Sequence, residues 1–461
     1  MSKAPTSSAA PENHRQHQPP EHHHVVVIGG GQAGLSISWH LRQSGVDHIV
    51  LERSGIAHEW REGRWDNFTL VTPNWQCQLP GYSYEGDDPD GFMPRDLVHT
   101  FVRTYADSFG APVREGQEVL TLRHLPGPDG RDDGFALTVQ LHPGGERVEM
   151  TADKVVIATG GYHLPVIPAA AQRLPDRLRQ IHSSQYRNSG DLPDGGVLVV
   201  GSGQSGAQIA EDLHLEGRKV TLAVGSAPRV ARFYRGRDCV AWLADMGHYD
   251  RPVEEHPEGL ATRDKTNHYV TGRDGGRDID LRAFSLQGME LYGRLLDIRN
   301  EQLSFAPSLG GCLDAADRVA EGIKDAIDRH IAQHHLNAPV EERYTPVWAP
   351  ETERTELDLA AAGINSVIWS IGYRADYRWV QIGVFDGQGH PRHVRGVTGV
   401  DGLYFLGLPW LHTWGSGRFA GIARDAGYLA EQIVGHPATA PEGAGTRDRV
   451  SKGRTREHAL L

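Results

Sequence analysis

The stretch Val25-Val26-Val27-Ile28-Gly29-Gly30-Gly31-Gln32-Ala33-Gly34 decides the fold. Four consecutive β-branched residues predict a buried strand. Gly29, Gly31 and Gly34 follow in G-x-G-x-x-G spacing, and residues 35–45 predict a helix closed by glycine. A second strand, 48–51, ends in Glu52. Strand, turn, helix, strand and terminal acid together describe a dinucleotide-binding βαβ unit. Gly29 permits the tight turn, Gly31 lets the backbone approach a pyrophosphate, and Gly34 lets helix and strand pack closely. Gln32 and Ala33 open the helix, whose free N–H groups attract phosphate, and Glu52 can accept a hydrogen bond from a ribose hydroxyl.

The pattern returns further along. Residues 197–200 predict a strand, followed by Gly201-Ser202-Gly203-Gln204-Ser205-Gly206. Both copies read G-x-G-Q-x-G, and Gly45 and Gly217 close the two helices at matching positions. The repeat implies two dinucleotides. It breaks where Glu52 stood, because the matching position is Val224, followed by Gly225 and Ser226. An acid repels a 2′-phosphate, whereas a hydroxyl and a guanidinium bind one. Ser226, Arg229 and Arg232 are therefore candidates for the 2′-phosphate of NADPH, against the plainer reading of a basic surface loop. The first copy, with its acid, suits FAD.

Composition narrows the alternatives. At 461 residues the chain exceeds one core and predicts two or three domains. A net charge of −12 argues against nucleic acid as partner. No apolar run approaches the roughly 20 residues of a membrane span. Residues 1–24 lack the apolar stretch of a signal peptide and read, like 437–461, as disordered tail. The cluster His22–His24 reads as solvated tail, and no metal site is expected. Three widely spaced cysteines, Cys77, Cys239 and Cys312, give neither a disulfide framework nor a zinc site and fit a reducing cytoplasm.

Between the motifs, a Trp-rich stretch at 58–65 offers aromatics for a flavin or adenine ring, or ordinary half-buried packing. Residues 94–109 predict an amphipathic helix. Residues 118–123, 134–140 and 147–151 predict a small antiparallel meander, and 154–157 a buried strand running into Ala158-Thr159-Gly160-Gly161. Residues 188–196 predict a linker. Residues 284–298 and 313–335 predict helices. Strands are expected at 366–371 and 403–406, the latter ending in Gly407, and a last helix at 418–434.

FAD beside NADPH implies hydride transfer to the flavin, which must then pass its electrons on. A disulfide acceptor needs a closely spaced cysteine pair, and none is present. Dioxygen is the other main route, and the protein then chiefly excludes water from the reacting centre. A reductase or oxidase serving another acceptor, and a non-enzymatic redox-sensing flavoprotein, stand as the alternatives.

The chain resembles the class B flavoprotein monooxygenases, the flavin-containing monooxygenase group that includes the plant auxin-forming enzymes. The likeness covers residues 25–435. It rests on the two glycine motifs, on TPNWQCQLPG (72–81), on ATGGYHLPVIP (158–168), and on GLYFLGLPWL with GSGRFAGIARDA (402–426). The stretch FYRGRD and residues 281–317 resemble a bacterial subgroup of flavin-dependent oxidoreductases. The family fingerprint F-x-G-x-x-x-H-x-x-x-(Y/F/W) falls on 176–186, where His182 and Tyr186 match and Asp176 and Leu178 depart. The departures weaken any specific assignment to N-oxygenation or Baeyer–Villiger chemistry.

The resemblance implies an α/β fold of two Rossmann-like three-layer nucleotide-binding domains, with a discontinuous FAD domain (25–192 and 346–436) around an NADPH domain (193–345). It implies a monooxygenase that uses dioxygen on a small molecule, at nitrogen or sulfur, through a flavin C4a-hydroperoxide. For FAD it adds Arg53, Trp60, Arg61, Thr159, Gly160 and Gly407 to the first motif and Glu52. For NADPH it adds His182 and Tyr186 to the second motif, Ser226 and the arginines. Asn74 and His412 are the candidates facing the reacting centre.

Overall fold

The computed structural model describes residues 19–126 and 132–435, so both expected tail ends and most of the 127–134 turn lie outside the described residues. Ten strands build two parallel five-stranded cores. In chain order they are β1 (Glu21–Ile28), β2 (His48–Glu52), β3 (Val113–Glu115), β4 (Arg147–Ile157), β5 (Arg179–His182), β6 (Gly196–Val200), β7 (Val220–Ala223), β8 (Glu290–Tyr292), β9 (Ile364–Trp369) and β10 (Leu403–Phe405). The first core runs β10-β4-β1-β2-β3 and the second β5-β9-β6-β7-β8. Their principal helices are α1 (Gln32–Gln43), α2 (Gln204–Leu215), α3 (Leu309–Gln333) and α4 (Ile422–Val434).

The two cores share their register. Val25 pairs with His48 and Ile28 with Leu51, while Val197 pairs with Val220 and Val200 with Ala223. Parallel strands covered on both faces need apolar residues at every position, which is what VVVI and VLVV supply. Val25 and Val27 face Leu35, Leu41, Ile422 and Leu429, whereas Val26 and Ile28 face Leu122, Phe135 and Leu137. That second face is covered by the predicted meander, built from Gln117–Pro126, Asp132–Leu141 and β4. β4 merges two expected strands into one. Residues 147–152 pair antiparallel with the meander and residues 150–157 parallel with β1, since neither Gly nor Pro interrupts 147–157.

Four expectations are corrected. Residues 21–24 are strand, not tail: Glu21, His22 and His23 pair with Met150, Thr151 and Ala152, and Arg114 grips the Glu21 carboxylate at 2.7 and 2.8 Å. The helix expected at 284–298 ends at Leu286, because Gly288, at φ +101°, turns the chain into β8. The last helix begins at Ile422 rather than 418. The strand expected to return to the FAD domain, β9, instead lies between β5 and β6 in the second core. β5 and β9 therefore fall outside the expected NADPH span of 193–345. No helix among the described residues is long and apolar enough to cross a membrane.

Candidate functional site: two glycine turns

At the first turn, Gly29 (φ +113°) lies so close to the end of β4 that a Cβ would stand 2.6 Å from the Ala158 carbonyl oxygen. A Cβ on Gly34 would stand 1.9 Å from the Gly29 oxygen, while one on Gly31 would meet nothing within 4 Å. The turn is thus packed on its inner side and open at Gly31. α1 starts at Gly31 with no side-chain cap, and the N–H groups of Gln32, Ala33 and Gly34 have no acceptor among the described residues. α3 shows the alternative: the Glu353 carboxylate takes the N–H groups of Leu309 and Gly310, each at 2.9 Å. α1 leaves that anion position to a ligand.

Glu52 holds the turn from β2. Its Oε2 accepts the Gly30 N–H at 2.7 Å and its Oε1 the Ser54 N–H at 2.9 Å. Thr159 follows β4 with a buried hydroxyl that has no partner among the described residues, beside Gly160 at φ +71°. From the other end of the chain, Gly407 closes on α1, where a Cβ would lie 2.7 Å from that of Ala33. Trp60 donates to Gln32 Oε1 at 3.0 Å, and Gln32 donates to the Gly417 carbonyl at 3.1 Å. Arg53 and Arg61 point outward, Arg53 to Glu59 at 2.9 Å and Arg61 to Glu62 at 3.6 Å.

The second turn repeats the first. Gly201 has φ +103°, and its Cβ would meet the Ser370 carbonyl oxygen at 2.4 Å. A Cβ on Gly206 would lie 1.9 Å from the Gly201 oxygen. α2 starts at Gly203, again without a side-chain cap, so the N–H groups of Gln204, Ser205 and Gly206 are free among the described residues. Gln204 donates to the Val270 carbonyl at 2.7 Å. Ser202 accepts the Gly225 N–H at 3.0 Å, and Ser226 beside it is exposed.

The expectation that Arg229 and Arg232 face a 2′-phosphate is corrected. Both are buried and already paired. Arg229 donates from Nε to Asp317 at 2.6 Å and stacks on Tyr344. Arg232 grips both oxygens of Asp238 at 2.7 Å and donates to the Val71 carbonyl. A guanidinium in a low-dielectric interior demands such a carboxylate, which occupies the face a phosphate would need. Tyr186 is also buried, donating at 2.7 Å to Asp212 on α2. His182 lies at the end of β5, where Nδ1 accepts the Ser184 N–H at 3.2 Å and Nε2 donates to the Gly372 carbonyl at 3.1 Å. Those bonds fix the neutral Nε2–H tautomer, and burial lowers its pKa.

Asn74 is buried and donates to the Asp88 carbonyl at 2.9 Å, leaving Oδ1 without a donor among the described residues. His412 is half-buried, its carbonyl accepting the Val253 N–H at 2.7 Å while Nδ1 has no partner among the described residues. Burial lowers its pKa, so the ring is neutral near pH 7.

The family model described as pyridine nucleotide-disulphide oxidoreductase matches residues 26–243. An oxidoreductase named CzcO-like, from Geobacillus kaustophilus, is 32% identical over 410 residues, covering 88% of this chain and 96% of that protein. The chain belongs to the CzcO-like oxidoreductase family. It is a flavin-dependent oxidoreductase related to the class B flavoprotein monooxygenases, and FAD and NADPH are its cofactors. The indole-3-pyruvate monooxygenase YUCCA4 of Oryza sativa subsp. japonica is 30% identical over 205 residues, 42% of this chain and 45% of that protein. Among solved structures, a flavin-containing monooxygenase from Stenotrophomonas maltophilia superposes with a TM-score of 0.61 at 17% identity, covering 90% of this chain and 98% of that one, a likeness of fold.

Sequence reasoning missed two residues packed on the second turn. Ser370 forms the floor of the second turn, and Thr266 stands 3.5 Å from where a Gly203 Cβ would be. Nothing in their local sequence marks either one, because long-range pairing brings them there. The Gln at the matching place in both turns was a readable signal, since each reaches a distant carbonyl and ties down a loop.

Proposed function

We propose that this oxidoreductase is an NADPH- and dioxygen-dependent monooxygenase of a small molecule, oxygenated at nitrogen or sulfur, with FAD on the first glycine turn and NADPH on the second. The observation that carries the reading is the pair of uncapped helix starts together with the lack of a dithiol. Cys77, Cys239 and Cys312 are all free. Burial pushes the Cys77 thiol up to about 12 and raises Cys239 as well, so neither supplies a thiolate. Electrons reaching a flavin here need an acceptor other than a cysteine pair, and dioxygen is one.

Bound FAD would supply the hydride acceptor and the centre for oxygen activation. The chain's part is binding and enclosure. Gly31 and the N–H groups of Gln32 to Gly34 take the pyrophosphate, with Glu52 bracing the turn. The unpartnered Thr159 hydroxyl and Asn74 Oδ1 offer a donor and an acceptor to groups bound beside them. The N–H groups of Gln204 to Gly206 take the second pyrophosphate, and Ser226, with no acid at Val224, admits a 2′-phosphate. His182 and Tyr186 position β5 and α2 and do not themselves touch the coenzyme. The fold then divides into a discontinuous FAD unit, residues 21–157 with 393–434, and an NADPH unit around 179–369.

The test is NADPH consumption scored against oxygenated product across sulfides and amines. Product formed one-to-one with NADPH supports the reading. Peroxide released one-to-one with every substrate tried moves the assignment to an oxidase, and no flavin reduction by NADPH overturns both.

A further inference from the structure

The most buried arginines of the second unit each hold a carboxylate: Arg229 with Asp317, Arg232 with Asp238, Arg282 with Asp314 and Asp317. Arg418, in the first unit, has no such carboxylate among the described residues. It follows Gly417, whose carbonyl holds Gln32 of the first turn. Its side chain reaches the opposite way, donating to Asn267 Oδ1 at 3.0 Å, and Asn267 adjoins Thr266 at the second turn. It also donates to the Trp414 carbonyl and lies 3.8 Å over the Trp414 ring, which packs on Tyr249 at 4.5 Å. One side chain therefore spans the space between the two glycine turns.

No carboxylate of the described residues pairs with Arg418, and Nε has no protein acceptor among them. The charged or titratable groups that influence it are the phenols of Tyr162 and Tyr249. Enclosure disfavours its charge, yet the residue is half-buried, and Nε is not among the buried polar atoms left without a partner, so that donor stays open to a ligand. The neighbouring histidines do not compete for an anion: burial pushes His248 and His268 down to about 4, leaving both neutral at pH 7. A lone, partly desolvated guanidinium of fixed direction is a site for a planar anion.

We propose that Arg418 anchors the carboxylate of the substrate, so that the small molecule taken between the two glycine turns is an organic acid. The inference rests on the proposed function, with the space between the two glycine turns as the substrate site. Asn267 and the Trp414 ring hold the guanidinium in place, and a carboxylate accepts from Nε–H and one terminal N–H side by side.

The test is calorimetric titration of the FAD-loaded chain with two acid–amide pairs, phenylacetate against phenylacetamide and hexanoate against hexanamide. At least one acid should bind tenfold or more tightly than its amide, R418Q should erase that ratio, and R418K should retain part of it. Equal affinities of acid and amide, no binding of either acid, or an intact ratio in R418Q each overturn the proposal. A loss of NADP⁺ affinity in R418Q as large as the loss for the acid assigns the cation to the coenzyme, which also overturns it. Should R418Q fail to retain FAD, the wild-type ratio and the R418K ratio decide the matter. The acid–amide ratio needs no turnover, so a chain that fails to oxygenate anything sinks the monooxygenase reading and leaves this one standing.

Discussion

The two glycine turns have one geometry and opposite wiring. In the first, a backbone N–H of the turn, at Gly30, donates to a side chain at the end of β2, the Glu52 carboxylate. In the second, a backbone N–H beyond β7, at Gly225, donates to a side chain of the turn, the Ser202 hydroxyl. The same tie between the first two strands is made from either end. The reversal has an electrostatic result: the first turn carries a carboxylate on its rim, and the second a neutral hydroxyl in the matching tie. A repeat can thus preserve backbone shape while exchanging which nucleotide its rim accepts.

The largest test of that equivalence is Gly34→Ala against Gly206→Ala. Each new Cβ would stand 1.9 Å from a carbonyl oxygen. Gly34→Ala should lose FAD from the purified protein, read by flavin absorbance. Gly206→Ala should keep FAD and slow its reduction by NADPH by two orders of magnitude or more, a split that stopped-flow would show. Equal loss of FAD in both variants would break the assignment of the turns.

Arg229→Ala comes next. It strands Asp317 in the interior with Arg282 as its remaining partner, so urea unfolding should show a loss of about 3 kcal/mol. The preference for NADPH over NADH should not change, whereas a selective rise in the Michaelis constant for NADPH would restore the 2′-phosphate role. Glu211 sharpens a further contrast, because α2 buries this acid where α1 has Trp39. Burial raises its pKa from 4.5 to about 7. A carboxyl that binds its proton more tightly when folded makes stability fall as pH rises between those values and level off above them. Glu211→Gln should remove that decline, on the order of 1–3 kcal/mol, in melts taken from pH 5 to 8.

The ties themselves are the smaller effects. Glu52→Ala leaves the Gly30 and Ser54 N–H groups without their acceptor and should weaken FAD binding roughly tenfold, measured by equilibrium dialysis. Ser202→Ala frees only the Gly225 N–H, costs about 1 kcal/mol, and should raise the Michaelis constant for NADPH several-fold. A larger effect from Ser202 than from Glu52 would reverse the ranking of the two ties.

What could be read from the sequence was local. The strand–turn–helix runs at 25–45 and 197–217 are contiguous, and Gly29, Gly34, Gly201 and Gly206 are each required by atoms a few residues away or by the strand packed beside the turn. What could not be read depends on partners far along the chain. A run such as Ile364–Trp369 says strand without saying which sheet, and only its pairing with Val197–Val200 settles that. Arg229 and Arg232 look the same in sequence whether they face solvent or Asp317 and Asp238. The apolar positions at 284–298 kept a helical spacing, but Gly288 and the open edge of β7 made a strand the better burial for Leu291 and Tyr292.

The strand orders carry a consequence for synthesis. The second core takes its outer strand, β5, from before its own glycine turn, whereas the first takes β10 from near the end of the chain. As the polypeptide leaves the ribosome, the second sheet has all five strands once residue 369 has emerged, but the first must wait for residue 405. The unit that begins first therefore finishes last. Chains arrested so that residue 369 but not residue 405 has left the ribosome should protect 179–369 from protease before 21–157.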